Sequence, residues 1–128
     1  IVIQILLVNT SGAELWFDKR FEWGPLGPLS LRVSDAATGD PVPFSVSYVD
    51  DAMRLPAKSK DDFQRLPSNH IYGLRRTLEF RELNIVKKGS YKLSVALSGP
   101  FGETFGLPVW RPKGPSAESN TVQIDVTD

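Results

Sequence analysis

Between Tyr91 and Leu97 the residues alternate without a break. Tyr91, Leu93, Val95 and Leu97 fall on one side, and Ser90, Lys92, Ser94, Ala96 and Ser98 on the other. A period of two is the spacing at which a strand turns one face to a core, so this stretch is predicted to be the central strand. Lys87-Lys88-Gly89 stands just before it and predicts a corner. The corner delivers Tyr91 to the first buried position, with its ring covered and its hydroxyl returned to backbone upstream.

The same period recurs along the chain. Leu29, Leu31 and Val33 alternate with polar residues, as do Val42, Phe44, Val46 and Tyr48, and the turn Asp35 to Asp40 joins these two runs as a hairpin. Pro43 lacks a donor and marks an edge or a bulge. Ile71 to Phe80 places Tyr72, Leu74, Leu78 and Phe80 on one side, interrupted by Arg76. Thr104 to Trp110 carries Phe105, Leu107 and Val109, and the close of the chain carries Val122, Ile124 and Val126. Leu15-Trp16-Phe17 is a short aromatic strand. Ile1 to Val8 is apolar on both faces except at Gln4, which predicts a strand packed on the core on one side and partly covered on the other.

Turn formers separate these runs. Asn9-Thr10-Ser11-Gly12 supplies side-chain oxygens and a residue free to take positive φ. It also contains the Asn-x-Ser pattern of a glycosylation acceptor, although a plain turn is the simpler reading. Gly24 to Pro28 and Arg111 to Pro115 are too rich in Gly and Pro for regular structure, and Gly99 to Glu103 reads as a hairpin connection. From Asp50 to Asn69 the pattern disappears into a long charged loop, with a short helix over Ser59 to Leu66 capped by Ser59. Residues Arg81 to Val86 form one helical turn. The expectation is an all-β chain: a single β-sandwich domain over residues 1–128, of about seven to eight antiparallel strands.

Composition narrows the function. A chain of 128 residues fits one domain with a core of its own. Lys plus Arg and Asp plus Glu number 15 each, so no surplus positive charge is available for a phosphate backbone, and nucleic acid is not an expected partner. There is no cysteine, which removes disulfides, thiolate metal sites and a thiol nucleophile together. Ile1 to Val8 is too short to cross a bilayer, and neither a basic residue before it nor a cleavage site after it marks a targeting signal; no membrane insertion is expected. The chain begins inside a strand and without Met, so a mature or trimmed chain that has lost its leading segment is expected.

Candidate chemistry is sparse. His70 is the only histidine, and no Gly-x-Ser-x-Gly elbow presents a nucleophile beside it. With no Cys and only Met53 as a sulfur ligand, no transition-metal site is expected. Asp50-Asp51 and Asp61-Asp62 lack the alternating acids and the bidentate Glu of a calcium loop. Gly24, Gly27, Gly99 and Gly102 lead into no helix, so they cradle no phosphate. The chain is therefore expected to be no enzyme and to hold no cofactor and no metal.

The half from Leu74 to Val126, with the Lys87-Lys88-Gly89-Ser90-Tyr91 corner, the Tyr91-x-Leu93-x-Val95 strand and the closing Ser119-Asn120-Thr121-Val122-Gln123-Ile124, resembles the end of an immunoglobulin-like or fibronectin type III-like module. The opening strand that runs into Val8-Asn9-Thr10-Ser11 is similar to bacterial secreted domains of that type. More faintly, the chain is similar to the β-sandwich propeptides of fungal deuterolysin-type proteases and to small Bacillus-type proteinase inhibitors. The resemblance departs at two points: no Cys pair flanks a core Trp, and the loop from Asp50 to Asn69 fits none of these families. It implies an extracytoplasmic setting, secreted, periplasmic or in the cell envelope, and a non-enzymatic role.

Large aromatic residues beside loops are the remaining binding signal. Trp16 lies in an apolar strand and is expected in the core, whereas Trp23 and Trp110 adjoin Gly/Pro loops. With Phe101 and Arg111 they form the candidate binding set: Trp23, Phe101, Trp110 and Arg111, collected at one end of the sandwich near the Asp50 to Asn69 loop. The expectation is an interaction module that binds a protein partner through end loops. The alternative is a structural spacer or carbohydrate-binding module of a larger secreted or envelope protein.

Overall fold

A computed structural model describes residues 1–20, 29–43 and 56–127 of the chain. Within them lie eight strands: β1 (Val2–Val8), β2 (Leu15–Asp18), β3 (Leu29–Asp35), β4 (Phe63–Leu66), β5 (Ile71–Thr77), β6 (Gly89–Ser98), β7 (Ser116–Glu118) and β8 (Val122–Val126). The described chain is all-β, and its paired strands are antiparallel. β6 is the centre of the larger sheet, with β3 along one edge and β7 and β8 in succession along the other. β1 pairs with β5, and β2 with β4.

The inward face of β6 meets its neighbours residue by residue. Leu93 lies opposite Val33 on β3 and Val122 on β8, and Val95 lies opposite Leu31. Leu29, Leu31, Val33, Tyr91, Leu93 and Val95 are all buried, and Ile3, Ile5 and Leu74 of the β1–β5 pair pack on them from the opposite side. This is a sandwich of two layers. Each fully buried side chain of this kind stabilises the fold by about 1.5–3 kcal/mol. A second apolar group, Phe17, Ala57, Phe63 and Leu66, is buried under β2 and β4. Phe17 meets Tyr72 of β5 edge to face, with ring centroids 4.9 Å apart, and so joins the two groups.

The corner before β6 forms as its residues predict. Gly89 takes φ 151°, the Tyr91 ring is buried, and its hydroxyl donates to the Lys87 carbonyl at 2.9 Å. In place of a helical turn, residues 79–85 make successive tight turns, with the N–H of Glu82 on the Glu79 carbonyl and that of Leu83 on the Phe80 carbonyl. These turns drive Leu83 (0% exposed) and Ile85 into the core. Beyond them, β6 changes partner between β7 and β8. At that gap Ser119 stands in for a strand, its Oγ accepting from the Val95 N–H at 2.8 Å and its own N–H donating to the Val95 carbonyl.

Two expectations are corrected. The short helix over Ser59 to Leu66 is instead a single 3₁₀ turn, Lys60–Asp62, followed by strand β4. Ser59 does cap it: Ser59 Oγ accepts from the Asp61 N–H, and the Asp62 carboxylate accepts from Ser59 in return. The strand expected over Thr104 to Trp110 does not form. Phe105 and Gly106 both sit at positive φ, which no strand admits, and only Val109 makes an isolated parallel bridge, to Trp16. The outer face of β1 is partly covered, as expected, with Val2, Leu6 and Val8 about half exposed. The hairpin partner of β3 is entered by the Val42 N–H on the Val33 carbonyl, and its continuation from Phe44 to Tyr48 lies outside the described residues.

Candidate functional site

β6 ends at Ser98 and β3 begins at Leu29, opposite Leu97, so the segments after β6 gather at that end of the sandwich. Gly102 takes φ 86°, and a Cβ there would stand 2.7 Å from Pro56 Cβ; only glycine lets the two backbones approach so closely. Phe101, beside it, is 47% exposed. On the neighbouring segment the Trp110 N–H donates to the Trp16 carbonyl at 2.7 Å, which fastens that segment to β2. The Trp110 side chain is half-buried and Arg111 is exposed. Arg111 and Pro112 lie against Gly99, where an added Cβ would meet Pro112 Cδ at 3.2 Å.

Of the four residues singled out in the sequence, Phe101, Trp110 and Arg111 thus stand on two adjoining segments at one end. Trp23 lies outside the described residues. Trp16 is half-buried rather than a core side chain. The sequence did not signal what holds this end together. Asp18 is buried and accepts from Arg20 through both carboxylate oxygens, Nε to Oδ1 at 2.9 Å and Nη2 to Oδ2 at 2.6 Å. Arg20 also reaches the Pro56 carbonyl through Nη1 at 3.2 Å. A bidentate pair of this kind fixes geometry as well as charge. In the sequence, Asp18-Lys19-Arg20 read only as charge that ends a strand.

Nearby, the N–H of Lys58 donates to the Asp62 carboxylate at 2.6 Å and holds its pKa below the ordinary carboxylate range; the Ser59 N–H and the charges of Arg20 and Lys19 add to this. At the opposite end of the sandwich, the N–H groups of Thr38 and Ala37 lower Asp35 in the same way, by donating to Oδ1 in the β3 turn. These carboxylates close turns. His70 is exposed, with Nδ1 2.9 Å from the Ser68 carbonyl. Among the described residues no three His, Asp or Glu side chains group as a metal site.

Asn9, the glycosylation candidate, is 2% exposed. Its Nδ2 donates to the Ala13 and Leu66 carbonyls, each at 2.9 Å, and its Oδ1 accepts from the Ser11 N–H. An amide so enclosed is a structural tie between the β1 turn and β4. Among the described residues no helix is long and apolar enough to cross a membrane. Comparison with protein-family models, with curated proteins and with solved structures finds no match.

Proposed function

We propose that the protein is a non-enzymatic, immunoglobulin-like interaction module of an extracytoplasmic setting, and that it binds a protein partner through the loops at the Phe101 end. The observation that carries this reading is the placing of exposed side chains on hydrogen-bonded backbone. Phe101 and Arg111 are exposed; the segment that bears Arg111 is fastened by the Trp110–Trp16 backbone bond, and Gly102, next to Phe101, packs closely on Pro56, whose carbonyl accepts from the Asp18-paired Arg20. An aromatic and an arginine held on fixed backbone are the residue types that anchor protein interfaces, because little side-chain and loop entropy is left to lose on binding. Trp110 is half-buried, so less of its ring is open to a sugar than on an exposed platform.

The test is photo-crosslinking from benzoylphenylalanine placed in turn at positions 101, 111 and 86, in the native host. Val86, 81% exposed at the other end, is the control. Adducts to one protein from positions 101 and 111 but not 86 are expected. Equal labelling from all three positions, or none from 101 and 111, contradicts the reading.

A further inference from the structure

Among the described residues, β1 is bonded along one edge only. The Asn9 N–H donates to the His70 carbonyl, the Asn9 carbonyl accepts from the Asn69 N–H, and the Ile1 carbonyl accepts from the Leu78 N–H, all on the β5 side. In an antiparallel ladder, residues of one parity turn both backbone groups to the same neighbour. The odd-numbered residues of β1 therefore serve β5, while the N–H and C=O groups of Val2, Gln4, Leu6 and Val8 face the opposite edge. Among the described residues nothing pairs with that edge. The strand Val-Ile-Gln-Ile-Leu-Leu-Val carries none of the residues that guard a free edge: it has no charge and no proline.

Below the edge the two layers part. A cavity of about 210 Å³ is lined by Ile3, Ile5, Leu31, Leu93 and Val122, with Ser119 and Asn120 on its far wall. A second, of about 120 Å³, is lined by Ile5, Leu7, Leu29, Val95 and Leu97. The two are displaced along β1 by two residues, about 7 Å, which is the distance between alternate side chains of a strand. Their one charged lining residue, Glu118, is paired with Arg32 at 3.1 Å, so the cleft presents no unbalanced charge to an occupant.

We propose that the open edge of β1 and the cleft beneath it form a strand-addition site. Its occupant is an extended, uncharged segment of another polypeptide, with small apolar side chains at alternate positions. Backbone bonds to Gln4 and Leu6 hold the segment, and its inward side chains fill the two cavities in order, the division of labour of strand-addition recognition. The absence of charge in the cleft matches an uncharged strand. A second copy of β1 fits less well, because its Ile3 and Ile5 already face its own core and would leave both cavities empty. The second cavity reaches Leu29 and Leu97, at the end where the Phe101 loops gather, but Phe101, Trp110 and Arg111 line neither cavity.

The probe is a fluorescein-labelled acetyl-Thr-Val-Thr-Val-Thr-Val-Thr amide, read by anisotropy, with a control peptide carrying Pro at the central position. Two variants accompany it. Gln4→Pro removes one outward N–H without touching the β5 ladder, and Val122→Trp fills the larger cavity. Saturable binding is expected, weakened roughly tenfold or more by each variant and by the Pro peptide. Should Gln4→Pro fail to fold, Val122→Trp and the Pro peptide still decide the matter. Binding that both variants leave unchanged, or no binding up to about 1 mM peptide, overturns the proposal. So does a concentration-dependent dimer that excludes the peptide, which assigns the edge to a second copy. Slow amide exchange at Gln4 and Leu6 in the free protein assigns the edge to the chain's own segments, and overturns the proposal as well.

Discussion

β6 alternates apolar and polar residues and β1 is apolar on both faces except at Gln4, yet it is β6 that is enclosed and β1 that is half open. On β6, Leu93 is 1% exposed, with β3 on one side and β8 on the other. On β1, Leu6 is 52% exposed and the strand has β5 alone beside it among the described residues. Alternation reports which face of a strand is apolar; it does not report whether either edge finds a partner, because partners come from distant sequence. The two strands therefore differ in energy and in what they offer. β6 stabilises the fold, while β1, among the described residues, leaves the backbone groups of one edge without a strand partner.

The sharpest way to break that comparison is to truncate one leucine on each strand. Leu93→Ala is expected to cost about 2–5 kcal/mol, measured by denaturant unfolding, since it opens a cavity between two packed layers. Leu6→Ala is expected to cost below about 1 kcal/mol, because half of its surface is already in water. Equal costs would mean that β1 is covered as β6 is. Asn9→Ala follows, at about 1–3 kcal/mol by the same measurement: Asn9 bridges the turn after β1 to β4, and its loss leaves carbonyls in a buried site without a donor. Tyr91→Phe should cost about 0.5–1.5 kcal/mol, the net worth of the bond to the Lys87 carbonyl, with the ring still packed. No loss on this change would show that the corner before β6 is held by ring burial alone.

Acid gives the smallest of these effects and touches neither strand's core. Asp35 and Asp62 both have folded-state pKa values lowered by backbone N–H donors. In the unfolded chain they take up protons at higher pH than in the folded one, so their contribution is complete above the ordinary carboxylate range and is lost as pH falls through the lowered values. The unfolding midpoint should hold steady from neutral pH down to that range and then decline. Asp62→Asn should make the decline shallower. A midpoint that falls between pH 7 and 5 would point to other groups.

The legibility of the sequence follows the same division. β6, its corner and the turn after β3 were readable because each is set by residues close together: an alternation of seven, a glycine, a tyrosine, an aspartate two residues before the N–H it accepts from. β4 was not, since Phe63-Gln64-Arg65-Leu66 buries its first and last residues and so reads as a helical turn. The three-residue β7 carries no pattern at all. Thr104 to Trp110 misled in the opposite sense, for its alternation is genuine and the backbone at Phe105 and Gly106 overrides it. About seven to eight strands were expected; eight lie within the described residues, although β4 and β7 were not among those expected. At the Phe101 end, the loop residues could be picked out by type, but the Asp18–Arg20–Pro56 strap joins residues far apart in sequence and left no local signal. The open edge of β1 left none either, because the partners of a strand edge come from distant sequence.

Residue-resolved amide hydrogen exchange on the free protein tests this most directly. Along β6 every amide from Tyr91 to Leu97 should exchange slowly, since β3 takes one parity and β7, β8 and Ser119 take the other. Along β1 the rates should alternate, slow at Ile3, Ile5 and Leu7 and fast at Gln4, Leu6 and Val8. Uniform slow exchange along β1 would contradict the account, since it would mean that both edges of the strand are bonded.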